Sequence, residues 1–214
     1  MVTVIFRAKM RPGKENEALE RMRAMVAAVQ AQEPGALAYI FHRSKDDPSE
    51  IVFYEHYVDG AAFQAHAQTP HMGETRAAFG ELFDTATVKL ERLERVAGFA
   101  REGVNRSEHA GTVTLIFRAK MQTGKEETVL RQLQTTIDAV QAQEPGAVAY
   151  LWHHPQDALS ELVLFEVWAD DAALQAHMKT SHMAEFWASY PELFDAPQSK
   201  VERLERVAGF VRAG

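Results

Sequence analysis

The 214-residue chain contains no cysteine. That absence excludes disulfides, thiolate nucleophiles, cysteine-ligated zinc and iron–sulfur clusters. Blocks of lysine or arginine are also missing. With a formal net charge of −7 and a pI of about 5.7, the chain has no basic surface to attract a phosphate backbone, so nucleic acid is not an expected partner. No apolar run approaches the ~20 residues a spanning helix needs, which argues against a membrane partner. The first residues, Met1 to Arg7, lack the basic and long apolar segments of a signal peptide. The expectation is a soluble, cytoplasmic protein. No glycine-rich loop follows a strand, which disfavours a Rossmann-type nucleotide site.

What is present is ordinary globular composition, 46% hydrophobic and 25% charged, arranged as an internal repeat. Val2 to Met10 recurs as Val113 to Met121, Gln30 to Ala36 as Gln141 to Ala147, and Glu91 to Phe99 as Glu202 to Phe210. The offset is constant, no gap is needed, and roughly half the positions are identical. A unit this long is a whole domain. The expected boundaries are residues 1–103 for the first copy, 112–214 for the second, and a polar linker over 104–111.

Within one unit, Thr3 to Met10 alternates as a strand and Arg11-Pro12-Gly13 ends it. Leu19, Met22, Val26 and Val29 form a helical stripe, repeated at Leu130, Leu133, Ile137 and Val140. Glu33-Pro34-Gly35 stops that helix. Ala36 to Arg43 and Glu50 to Val58 read as strands joined by a polar turn. Asp59 is an N-cap for a short helix, Thr69-Pro70 interrupts it, and a second helical piece follows to Phe83. Thr87 to Phe99 reads as a long strand, its Lys89 to Arg95 charges on a solvated edge. The resulting β-α-β-β-α-β order is the ferredoxin-like α+β plan, with both helices on one face of an antiparallel sheet. Apolar residues on both faces of Glu50 to Val58 require cover on the other side too. An intramolecular pseudo-dimer of the two copies supplies it and leaves further self-association open.

Glu33-Pro34-Gly35, Glu55-His56-Tyr57, Ala62, His66, Thr69 and His71 occur in order in the first copy. Glu144-Pro145-Gly146, Glu166-Val167-Trp168, Asp170, Ala173, His177, Ser181, His182 and Phe186 follow in the second. This ordered set resembles the antibiotic biosynthesis monooxygenase family of dimeric α/β barrels, which includes quinol monooxygenases, and covers both copies almost end to end. The resemblance implies oxidation of a small electron-rich aromatic, a quinol or a polyketide-like phenol, by O2 without metal or flavin. The protein then has only to bind the phenol, remove a proton and shelter the anion. A flavin bound by another route stays open. The alternative is a non-catalytic, small-ligand-binding or stress-related domain of the same plan.

Histidine, which titrates near neutral pH, is the candidate base. His66 and His177 come first, each one turn after an apolar residue, Phe63 and Leu174, and so near the apolar face of its helix. The competing reading is a half-buried histidine tied to a backbone carbonyl. His71 and His182, at a helix start, are substrate contacts or, preferably, caps. The strand aromatics Tyr39, Tyr150, Trp152, Tyr57 and Trp168 and the helical Trp187 are core or the walls of an aromatic pocket. Arg7 and Arg118 hold an anionic oxygen or, preferably, pair with Glu55 and Glu166. All three tryptophans lie in the second copy, where the first has Phe41, Tyr57 and Arg76, so the two pockets should differ and one copy could be inactive. No metal is expected, because His66 and His71 lack the i, i+4 spacing of a helical metal pair. Haem breakdown ranks low, because Arg76 and Trp187 stand where an axial histidine would be needed.

Overall fold

The computed structural model describes residues 1–101 and 111–212. The expected linker, except Gly111, lies outside the described residues. The first repeat runs β1 (Val2–Met10), α1 (Glu15–Gln32), β2 (Ala36–Ser44), β3 (Glu50–Tyr57), α2 (Gly60–Gln68), α3 (Pro70–Leu82) and β4 (Phe83–Ala100). The second runs β5 (Val113–Lys120), α4 (Glu126–Gln143), β6 (Ala147–Pro155), β7 (Glu161–Trp168), α5 (Asp171–His177), α6 (Ser181–Leu193) and β8 (Lys200–Val211). The order is the expected ferredoxin-like α+β order, twice, and belongs to the dimeric-α/β-barrel class. Among the described residues no helix is long and apolar enough to cross a membrane.

Two compact units form, and they cut across the repeats. One contains residues 1–93 with 204–212, the other residues 94–101 with 111–203. In the first unit β1 pairs antiparallel with both β3 (Val4 opposite Glu55) and β4 (Val4 opposite Arg92). β2 pairs with β3 on one side and with the end of β8 on the other (Tyr39 opposite Phe210). In the second unit β7 lies between β5 and β6, with β8 beside β5 and the end of β4 beside β6. The Lys89 to Arg95 run therefore has one solvated face but is not a free edge, because Leu93 and its neighbours are hydrogen-bonded to β1. Gly98 and Gly209 make the late part of each long strand fit. Both have positive φ, and a Cβ there would meet the backbone of Tyr150 at 2.1 Å or of Ile40 at 2.7 Å.

Each unit has its own apolar core. In the first, Met22, Met25, Val26 and Val29 of α1 pack on Tyr39, Phe41, Phe53 and Tyr57 of the sheet. In the second, Val129, Leu133, Ile137 and Val140 of α4 pack on Tyr150, Trp152, Leu164 and Trp168. Each fully buried side chain of this size contributes about 1.5–3 kcal/mol. The helical stripe is turned slightly from the expected one. Val129 faces the core and Leu130 faces solvent, because the buried arc of the helix is centred on the i, i+4 row through Val129 and Leu133.

Candidate functional site

The Glu-Pro-Gly turn ends the first helix of each repeat and sets the glutamate. Glu144 caps α4, its N–H bonding to the Val140 carbonyl at 3.0 Å. A Cβ on Gly146 would lie 2.6 Å from that of Ala173, so only glycine lets α5 approach this turn. The Arg101 guanidinium caps the helix end by donating to the carbonyls of Gln141 (2.6 Å), Ala147 (2.8 Å) and Glu144 (3.3 Å). In the first repeat Arg212 does the same for Gln30, Glu33 and Ala36, and Gly35 lies under Ala62.

Asp59 accepts from the N–H of Ala62, the cap expected, and Asp170 accepts from that of Ala173. The next helix start is capped by Thr69 and Thr180, whose hydroxyls accept from Met72 and Met183 and donate to the His66 and His177 carbonyls. His71 and His182 are thus not caps. Their Nε2 atoms reach Glu33 at 2.5 Å and Glu144 at 2.6 Å. His66 Nδ1 lies 2.9 and 3.0 Å from the two Glu33 oxygens, and His177 Nδ1 3.0 Å from both Glu144 oxygens. The break at Thr69 and Thr180 brings both histidines of a repeat onto one carboxylate, which a spacing rule for an unbroken helix misses. Among the described residues neither His66 nor His177 is tied to a backbone carbonyl through its ring. Burial would raise the Glu33 and Glu144 carboxyls, but the bonds and charges of the two histidines outweigh it and hold each below its ordinary value.

A second carboxylate lies deeper. Trp168 Nε1 donates to Glu166 Oε2 at 2.9 Å, and the Tyr57 hydroxyl donates to Glu55 Oε2 at 2.8 Å. Burial pushes both carboxyls up to about 7, against the opposing pull of His177 or His66 and of that donor. Burial, then the charges of Glu166 and Glu144, raises Tyr150 well above the ordinary phenol value, and Tyr39 follows for the same reasons through Glu55 and Glu33.

In the second unit these groups face a cavity of about 220 Å³ between β5–β7 and helices α5 and α6. Phe117, Tyr150, Trp152, Leu164, Phe186 and Trp187 form walls, and His177 and Glu166 supply polar atoms. Glu144 occupies Nδ1 of His177, leaving Nε2 as the ring nitrogen with no hydrogen bond among the described residues. Trp168 packs on the His177 ring at 4.4 Å. The Trp152 indole nitrogen makes no hydrogen bond among the described residues. At the mouth, Met178, Trp187 and Val201 are all exposed, and Arg203 pairs with Asp171.

The expected residues therefore divide. His177, Tyr150, Trp152 and Trp187 line the cavity, whereas Trp168 and Tyr57 hold the deep glutamates. His182 meets Glu144 behind the cavity, and His66, His71 and Tyr39 lie at the matching places of the first unit. Arg7 pairs with Glu50 at 3.2 Å rather than with Glu55, because it stands opposite Val52 in the register and nearer the strand end. Arg118 stands opposite Val163 and is not a cavity residue. Sequence reasoning did not name Glu144 and Glu166 as site residues. Their signal is an acidic residue kept in both copies beside or within an apolar strand.

Comparison with known proteins gives a consistent relationship. The family model for antibiotic biosynthesis monooxygenase matches residues 1–78 and again 112–189. An uncharacterized protein of Synechocystis sp. is 31% identical over 78 residues, 36% of this chain and about half (52%) of its own length. A presumptive monooxygenase of Fusobacterium nucleatum superposes over 100% of this chain and 95% of its own, with a TM-score of 0.90 and 12% identity. One from Lactobacillus acidophilus covers 99% and 96%, with a TM-score of 0.85 and 16% identity. An anthrone oxidase-like protein covers 100% and 94%, with a TM-score of 0.65 and 14% identity. At these identities the three structures share the fold.

Proposed function

The chain belongs to the antibiotic biosynthesis monooxygenase family, and on that footing we propose that its second repeat oxidises a small hydroxylated aromatic with O2. The carrying observation is the aromatic-walled cavity in which His177 and Glu166 meet. At about 220 Å³ it is smaller than the roughly 300–1,000 Å³ of pockets for drug-sized ligands, which favours a compact aromatic of no more than three fused rings. A quinol or a polyketide-like phenol fits that description, and the anthrone oxidase-like protein of the same fold points the same way.

His177 acts as the base through Nε2. Glu144 fixes the tautomer by accepting from Nδ1–H and stabilises the imidazolium that forms, the role the carboxylate plays in a carboxylate–histidine pair. Glu166, neutral below about pH 7, donates to the oxygen on which charge develops. The phenolate is then electron-rich enough to reduce O2 directly inside a site that excludes water. Where the reacting carbon is a ring CH2, its two hydrogens leave with one oxygen atom as water and the other oxygen becomes the carbonyl. The substrate supplies all four electrons that O2 takes up, so no external reductant is consumed.

The test is oxygen uptake by metal-stripped, flavin-free protein with a panel of hydroquinones, dihydroxynaphthalenes and anthrones. Uptake above the autoxidation rate that His177→Ala abolishes supports the reading. Folded protein giving no uptake above background across the panel contradicts it and favours a ligand-binding domain.

A further inference from the structure

We propose that the Glu33–His66–His71 cluster of the first repeat is a binding site for one divalent first-row transition cation. Glu33 Oε, His66 Nδ1 and His71 Nε2 come from the end of α1, from α2 and from α3, and all lie within 4.8 Å of one another. The pairs Nδ1–Oε2 at 2.9 Å and Nε2–Oε1 at 2.5 Å are hydrogen-bond separations that a tetrahedral cation would widen to about 3.4 Å. Two imidazoles and a carboxylate suit zinc, iron, cobalt or manganese rather than calcium or magnesium, which take all-oxygen sets. Three protein ligands leave room for water.

The way in differs between the repeats. His71 lies at the side of a groove of about 570 Å³ whose other walls include Glu17, Glu20, Glu74, Arg21 and Thr75. Three carboxylates face one guanidinium there, although Lys14 holds Glu17 at 2.8 Å. The groove therefore favours a cation and gives it a path, as a metal site requires. In the second repeat Glu17 and Glu20 become Thr128 and Arg131, and Thr75 becomes Phe186, a wall of the aromatic cavity. The same three side chains thus sit beside an acidic groove in one copy and behind an apolar cavity in the other. The cluster in the second copy serves the imidazole as a base, and the cluster in the first takes the ion.

The test is a calorimetric titration of chelator-treated, full-length protein with Zn2+, using His71→Asn and His182→Asn as the matched pair. The expected result is one equivalent. His71→Asn should weaken it by more than about a hundredfold, beyond what losing a mere supporting group costs, and His182→Asn should leave it unchanged. No binding, binding that survives His71→Asn, or two equally tight equivalents overturns the assignment. If a variant unfolds, NMR of the Co2+-loaded wild type decides. Paramagnetically shifted imidazole signals from two histidines support the site, and their absence overturns it.

Discussion

Position 164 of the second repeat holds leucine where the first repeat, at position 53, holds phenylalanine, and the two units diverge around that difference. Phe53 stacks on Phe41 at 4.7 Å and meets Phe6 and Tyr39 edge-on or tilted, so rings pack on one another around this position in the first unit. Leu164 is shorter, and with Trp152 and Phe186 it lines the cavity of the second unit. Both units retain the same glutamate–histidine–histidine cluster and the same deep, donor-held glutamate. Identical polar groups can therefore serve different ends, because the apolar side chains around them decide what reaches them. Duplication lets each copy change separately what surrounds the shared cluster.

The sharpest way to break this comparison is to remove the same histidine from each copy. His177→Ala should cut catalysed oxygen uptake by about 10²- to 10⁴-fold, the usual cost of losing a general base, whereas His66→Ala should change it less than about twofold. Equal losses would mean that both units work. Filling the cavity comes next. Leu164→Phe gives the second unit the first unit's ring and should lower kcat/KM by about tenfold to two hundredfold, mostly through KM, by the range that a few methylenes command in a pocket.

Glu166 gives a smaller effect with a definite sign. Its carboxyl rises from an ordinary 4.5 to about 7 on folding. The stability it lends is thus complete below pH 4.5 and is lost as pH rises through about 7. Between pH 5 and pH 8 the wild type should lose about 2–3 kcal/mol more than Glu166→Gln in urea unfolding. Glu166→Gln should also keep its activity, through the amide donor, and lose the decline in rate above pH 7. A variant with wild-type pH dependence in both measurements would remove Glu166 from the account. The two units should behave alike only at their shared frame. Arg101→Ala and Arg212→Ala should each cost about 1–2 kcal/mol, the range for a lost helix cap, and an unequal pair would show that one glutamate turn is held by something else.

Much of this frame was legible in the sequence. The constant offset revealed the repeat, Asp59 read as a cap, and the apolar stripe of α1 named Met22, Val26 and Val29, all buried. The site was legible in part. His177, Tyr150, Trp152 and Trp187 could be named because rings and imidazoles near apolar faces suggest a pocket. The carboxylate partner was not legible, since Glu144 lies 33 and 38 residues from the histidines it joins and the link depends on a helix break that stacks them. The partner of Arg7 depended on strand register, which a pattern of alternating residues leaves free. That Leu164 forms a cavity wall where the first copy has Phe53 depends on packing, of which composition carries no trace.

The most direct test uses the fact that all three tryptophans belong to the second repeat. Two of them, Trp152 and Trp187, line the cavity, and Trp168 packs on His177. Titrating the protein with a redox-stable hydroxyanthraquinone and following tryptophan fluorescence reports where an aromatic ligand binds. The account predicts strong quenching that saturates at one ligand per chain and needs about tenfold to two hundredfold more ligand in Leu164→Phe. Binding of two ligands, or binding seen by calorimetry that leaves the tryptophans and the Leu164→Phe protein unaffected, would contradict it.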